Sequence, residues 1–231
     1  GTIKNPKFAA ESAWKRLCGA YKVDSNELFK HSHGSRSEEM FRKFFPELDN
    51  SGNKAVKELE LTMARDYLES VHLVPGAEKL LLALDINTQN NSKFPERKWA
   101  IVTSGSPYLA FSWFDTKLKK VGKPKVFITG FDVKRGKPDP EGYSGAREQL
   151  CELHGLDPSK ARTVVFEDAP VGIKAGKTIG SVVIGITTSY PKETLFEAGA
   201  DYVVKDLSRV SVSKNDSLHG ITIAIKDPLP R

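Results

Sequence analysis

Three apolar residues run directly into two carboxylates at Val164-Val165-Phe166-Glu167-Asp168, and Ala169-Pro170-Val171-Gly172 follows as the start of a helix. An unbroken apolar run of this kind reads as a strand covered on both faces, the habit of parallel sheets. Pro170 suits the first turn of the helix that follows, where its missing N–H leaves no bond unmade. A strand buried on both faces and followed at once by a helix points to a layered α/β fold. In such sheets ligands bind past the C-terminal ends of the strands. Two adjacent carboxylates at that place suit a hard divalent cation. The plain alternative is that Asp168 caps the helix and Glu167 is solvated.

From residue 77 onward the chain keeps the same rhythm. Ala77 to Leu84, Tyr108 to Leu118, a stretch ending near His154, 171–180 and Glu193 to Ala198 read as helices. Trp99 to Val102, Val126 to Thr129, 163–167, Val182 to Ile186 and Tyr202 to Val204 read as strands, with Ile221 to Ile225 a further candidate. Strands alternating with helices are the signature of βαβ units on a mostly parallel sheet.

The first third differs. Residues 8–22 can place Phe8, Ala9, Ala13, Trp14 and Leu17 on one helical stripe. Asp24-Ser25-Asn26 caps a short helix from Glu27 to Lys30. His31 to Ser37 is a polar loop, and helical patterns return at 38–46 and 54–71. Four helices without a strand between them make a helical module at 8–74, placed before a Rossmann-like core at 75–231. Val74-Pro75-Gly76 reads as a hinge between the two. Trp14, Trp99, Trp113 and Phe114 sit at apolar positions and read as core packing; Phe41, Phe44 and Phe45 read as the module's own core. His154 and His219 have no partner legible in the sequence.

At 231 residues, 39% hydrophobic and 28% charged, the chain has room for one core domain and a smaller one. No apolar run approaches the ~18–20 residues that span a bilayer. Net charge is +6, which suits an anionic small substrate. The basic residues are scattered, with no zinc spacing and no RNA-binding motif, which argues against nucleic acid. Cys18 and Cys151 are too few for a disulfide framework and point to a reducing compartment.

Three loops carry chemistry suited to a phosphate. Thr103-Ser104-Gly105 offers a hydroxyl and closely spaced N–H donors at a helix start. Lys137 stands in Gly136-Lys137-Pro138-Asp139-Pro140, where the prolines stiffen the backbone around an ammonium. Glu167 and Asp168 supply oxygen ligands. Taken singly, the first is a helix cap and the second a turn lysine. Their order, and their places past strands, are more specific than any one of them.

That order resembles the haloacid dehalogenase-like phosphohydrolase superfamily. Trp99 to Thr103 is similar to its second motif, Gly136 to Pro140 to its third, and Glu167-Asp168 to its fourth; of the first, Asp-x-Asp-Gly-Thr, only Gly1-Thr2 is found here. Lys30 to Arg36, Trp99 to Ser112, Phe127 to Tyr143 and Phe166 to Lys177 also resemble its sugar-phosphatase branch, the yeast 2-deoxyglucose-6-phosphate phosphatases first and the glycerol-phosphate phosphatases next. The resemblance implies a Mg²⁺-dependent phosphatase working through an aspartyl-phosphate. It places the nucleophile and the acid/base aspartate upstream of Gly1 and makes residues 1–7 a remnant of the first motif. Asp168 would hold the metal, and Glu167 would contact it directly or through water. Lys137 and Thr103, with the amides of Ser104 and Gly105, would bind the phosphoryl group. The helical module would be a cap whose loop faces the site. His33 and Arg36 would then meet the sugar, Arg36 because a planar donor fork suits hydroxyls or phosphate. A structural hydrogen bond is the alternative for His31 and His33. The resemblance also implies a cytoplasmic monomer acting on a small phosphorylated molecule. A phosphomutase of the same fold is a second reading, and a non-catalytic phosphate-binding protein a third, should the natural chain start at Gly1.

Overall fold

The structure, a computed structural model, describes residues 1–5 and 7–231; Pro6, within the 1–7 segment, lies outside the described residues. The first part runs β1 (Lys4–Asn5), α1 (Lys7–Tyr21), α2 (Ser25–Ser32), α3 (Ser37–Phe44), α4 (Lys54–Asp66) and β2 (His72–Leu73). Asp24 caps α2, its Oδ1 accepting from the Asn26 amide at 2.8 Å. This helix is longer than the sequence suggests and takes in His31, because Leu28 is buried and Glu27 pairs with Lys30 and His31 one turn on. The polar loop shrinks to residues 33–36. α4 ends earlier than its pattern, and a 3₁₀ turn at Leu68–Ser70 carries the chain to the buried Val71. Trp14, Leu28, Phe41, Phe45, Val56 and Met63 form the core of this module, whereas Phe44 is only partly buried against it.

The second part runs α5 (Ala77–Ala83), β3 (Ile101–Val102), α6 (Pro107–Asp115), β4 (Phe127–Ile128), α7 (Glu141–His154), β5 (Val164–Glu167), α8 (Pro170–Thr178), β6 (Val182–Ile186), α9 (Lys192–Glu197), β7 (Tyr202–Val204), β8 (Val210–Asp216) and β9 (Gly220–Ile225). β3 and β4 pair in parallel, as do β5, β6 and β7. This is the α/β fold that the alternating pattern predicts. β9 pairs antiparallel with β8, a strand the sequence reading lacks. Its half-polar run Val-Ser-Val-Ser-Lys-Asn-Asp dilutes the apolar signal, and the register shifts between Val212 and Lys214.

Two crossings join the parts, and they lie side by side. Lys4 pairs with Leu73 and Asn5 with His72, and the Val74 amide donates to Ile3 O at 2.8 Å. Gly76 then opens α5 at φ +84° with the Leu207–Ser208 backbone against it, so the position needs left-handed backbone and has no room for a Cβ. Ala9, Val71 and the core's Trp113 close the seam between the parts. A cavity of about 770 Å³ is lined by Ile101 of β3 and Phe166 of β5, and reaches the loops that follow both strands.

Candidate active site

The strand β5 starts at an exposed Val164 and passes through the buried Val165 and the half-buried Phe166. Its C-terminal end delivers Glu167 and Asp168 to the cavity. Asp168 is 4% exposed and does not cap α8, whose N-cap residue is Ala169. Its Oδ1 accepts from the Gly1 nitrogen at 2.7 Å and from Thr2 Oγ1 at 2.9 Å, and its Oδ2 accepts from Ser189 Oγ. Burial works to raise its pKa, and the hydrogen bonds from Ser189 and Thr2 work to lower it.

Glu167 is equally buried and is not solvated. Its Oε1 accepts from Lys137 Nζ and from Tyr143 Oη at 2.6 Å. Its Oε2 accepts from the amides of Asp168 at 3.0 Å and Ala169 at 3.3 Å. The sequence suggests Glu167 as a contact of the metal, direct or through water; in the structure it binds Lys137 and Tyr143 and so holds the Lys137 ammonium. Gly172 makes the arrangement possible, because a Cβ there would overlap the Glu167 carboxyl group. Lys137 Nζ also donates to Val102 O at 3.2 Å and lies 4.9 Å from the Tyr143 ring centre. Burial, with the Glu167 carboxylate beside it, pushes the Tyr143 phenol well above its ordinary range.

Thr103, Ser104 and Gly105 line the same cavity at the end of β3. The Gly105 amide donates to Thr103 Oγ1 at 3.1 Å, and Gly105 O accepts from the Gly130 amide at 2.9 Å. Ser104 Oγ donates across to Gly34 O of the module at 2.7 Å. The loop is thus shaped by both parts of the chain. His33 lines the cavity too, with its Nε2 3.6 Å from Glu11 and its ring edge-on to Tyr190. Burial lowers its pKa, more than Glu11 raises it. His31 instead faces Glu27 and Phe44 on the outside of the module.

Arg36 departs from the expectation of a substrate contact. It is buried, and its Nε and NH2 both donate to Glu39, at 2.9 and 2.7 Å. NH1 donates to the carbonyls of Gly130 and Val133, and NH2 to that of Lys134, at 3.0–3.3 Å. With each N–H engaged, Arg36 ties the module to the loop that leads to Lys137. The sequence reading missed Tyr143, Ser189 and Thr2 as partners of the acidic pair. Tyr143 and Ser189 carry no local signal and only the fold brings them there, whereas Thr2, in the remnant of the first motif, could have been named. His154 lines the same cavity and its Nε2 donates to Arg97 O at 3.0 Å, and His219 Nδ1 donates to Asp216 at 3.1 Å.

Among the described residues no three His, Cys, Asp or Glu side chains converge on one point. The buried Asp168 carboxylate, with the Ser189 and Thr2 hydroxyls beside it, is a hard oxygen set that nonetheless fits Mg²⁺. That ion is commonly held by one or two carboxylates, keeping waters and substrate phosphate for the rest.

A family model described as haloacid dehalogenase-like hydrolase matches residues 1–180. The chain is 64% identical over 232 residues to 2-deoxyglucose-6-phosphate phosphatase 2 of Saccharomyces cerevisiae, covering 100% of this chain and 94% of that protein. It is 40% identical over 217 residues to Glycerol-1-phosphate phosphohydrolase 1 of the same organism, covering 93% and 82%. Among solved structures it resembles a hydrolase from Pseudomonas syringae, with TM-score 0.64 and 23% identity over 89% of this chain and 90% of that one, a likeness of fold.

Proposed function

The chain belongs to the haloacid dehalogenase-like hydrolase family, and on that premise we propose that it is a Mg²⁺-dependent phosphatase of small sugar phosphates resembling 2-deoxyglucose 6-phosphate, acting through an aspartyl-phosphate. The observation that carries this reading is the meeting of Lys137, the Thr103–Gly105 loop and Asp168 on one cavity from three separate strand ends.

Lys137 neutralises the transferring phosphoryl oxygens. Glu167 and Tyr143 hold its ammonium in place, so its flexible stem need not be ordered at the moment of reaction. Thr103 Oγ1 and the loop amides take another phosphoryl oxygen. Phosphoryl transfer depends chiefly on such positioning and charge compensation. Mg²⁺, held by Asp168, would supply further charge compensation between an attacking carboxylate and an anionic phosphate. The helical module is the cap: it covers the cavity, excludes water and presents His33 toward the sugar.

The test is phosphate release by the natural full-length protein from 2-deoxyglucose 6-phosphate, other hexose phosphates and glycerol phosphate, each with Mg²⁺ and with EDTA. Turnover that needs Mg²⁺ and favours hexose phosphates is expected. A preference for glycerol phosphate would move the assignment to the other branch of relatives. Equal turnover in EDTA would refute the metal.

A further inference from the structure

The Thr103–Gly105 loop is followed by Ser106, the N-cap residue of α6, whose hydroxyl does not cap its own helix. Both Ser106 N and Ser106 Oγ donate instead to one carboxylate oxygen of Glu60, at 2.8 and 2.5 Å. Glu60 belongs to α4 of the cap and is 1% exposed. Its second oxygen accepts from Ser37 Oγ at the start of α3, at 2.6 Å. A buried carboxylate is costly unless charge and hydrogen bonds compensate it. Here three donors and Lys4 in β1 offset part of that cost, while burial still pushes the Glu60 carboxyl up and the Lys4 ammonium well down from their ordinary ranges. Lys4 Nζ in turn lies 3.3 Å from the ring centre of Trp113, on α6.

A surface helix of the cap therefore reaches through the seam and caps the helix that carries the phosphate loop. The neighbouring residue Glu58, on the same helix, is exposed and makes no comparable reach. Without its module, the loop would lose the Glu60 and Gly34 tethers together and keep only those from the core. A helix N-terminus is a strong place for a fixed negative charge, so the pairing resists rotation as well as separation.

We propose that Glu60 is a positioning residue of the phosphate site, making phosphate capture by the Thr103–Gly105 loop conditional on the seating of the cap. The proposal rests on the reading of that loop as the phosphoryl site. It predicts that Glu60 acts through Ser106 on phosphate affinity and substrate capture, at a distance from the reacting atoms.

The experiment compares wild type with Glu60→Gln, Ser106→Ala, the double variant, and Glu58→Gln as control, in the full-length protein. Two readouts are taken: steady-state kcat and KM on a hexose phosphate, and the inhibition or binding constant for inorganic phosphate. Glu60→Gln keeps the shape and removes the charge. It should raise KM and weaken phosphate binding about tenfold, with a smaller change in kcat. Ser106→Ala should move both in the same direction by less, and the double variant should add little to Glu60→Gln. Unchanged KM and unchanged phosphate affinity in folded Glu60→Gln would overturn the proposal, as would full additivity with Ser106→Ala. A wild type that binds phosphate but releases none from any monoester would overturn the hydrolase reading instead, and the phosphate-binding comparison would then decide the role of Glu60.

Discussion

Lys137 and Glu167 make opposite demands on stability and catalysis, and a paired substitution separates them. Lys137→Met removes the ammonium from a carboxylate that is 4% exposed. Removing one partner of a buried pair typically costs about 3–5 kcal/mol, because the other charge is left uncompensated. Glu167 keeps the Tyr143 hydroxyl at 2.6 Å and two backbone amides at 3.0 and 3.3 Å. Hydrogen bonds to a charged group are worth about 1.5–3 kcal/mol each, so the expected loss falls to the low end of that range, about 3 kcal/mol. Adding Glu167→Gln removes the stranded charge and should return about half of that loss. Turnover behaves otherwise: it should fall about 10²–10³-fold in Lys137→Met and stay down in the double variant, because the phosphoryl oxygens still lack their cation. Urea midpoints with m-values, followed by far-UV circular dichroism and tryptophan fluorescence together, give the stability term; phosphate release gives the other. A Lys137→Met protein within about 0.5 kcal/mol of wild type, or a double variant that regains turnover, would refute the reasoning.

Further substitutions test the surrounding framework. Arg36→Met should destabilise the protein by about 3 kcal/mol in urea unfolding, since it strands Glu39 and three carbonyls; Arg36→Lys should recover little, because an ammonium cannot replace the fork, and a wild-type-like Lys variant would show that the tie is dispensable. Gly172→Ala should push the Glu167 carboxyl aside and lower turnover more than it lowers the melting temperature, measured side by side. His33 is held neutral by burial, so the unfolded chain binds a proton that the folded chain refuses. Its contribution to stability is present above the ordinary histidine pKa of about 6.5 and lost as pH falls through it, so His33→Gln should flatten the slope of melting temperature between about pH 7 and 5. An unchanged slope would show that the burial carries no such penalty.

The parts of the site legible in sequence are those whose chemistry is local. Glu167-Asp168 after an apolar strand, and Lys137 between prolines, announce themselves within five residues each, and the structure brings both to one cavity. Arg36 was legible as a residue but not in its role, since the carbonyls it ties lie 94 to 98 positions away. Glu58 and Glu60 look alike in a helix rich in charges, and only tertiary packing separates a solvated glutamate from a buried one. Glu167 is legible as an acidic residue beside Asp168, but its partner Tyr143 sits on α7, outside any local pattern. The alternation of strands and helices after residue 77 predicted the layered fold, while β8 escaped because its alternation lasts only from Val210 to Ser213 before the polar Lys-Asn-Asp.

The pairing of β1 with β2 has a mechanical consequence. A single connecting strand lets the body it carries swivel about its own length, whereas two strands bonded edge to edge form a flat strap. Such a strap bends readily across its thin direction and resists shear and twist, because those deformations break Lys4–Leu73 and Asn5–His72 pairing. Any movement of the four helices would thereby be confined to something close to one degree of freedom, a door on a leaf hinge. Closing such a door would return Gly34, Arg36 and Glu60 to the contacts they hold in this structure.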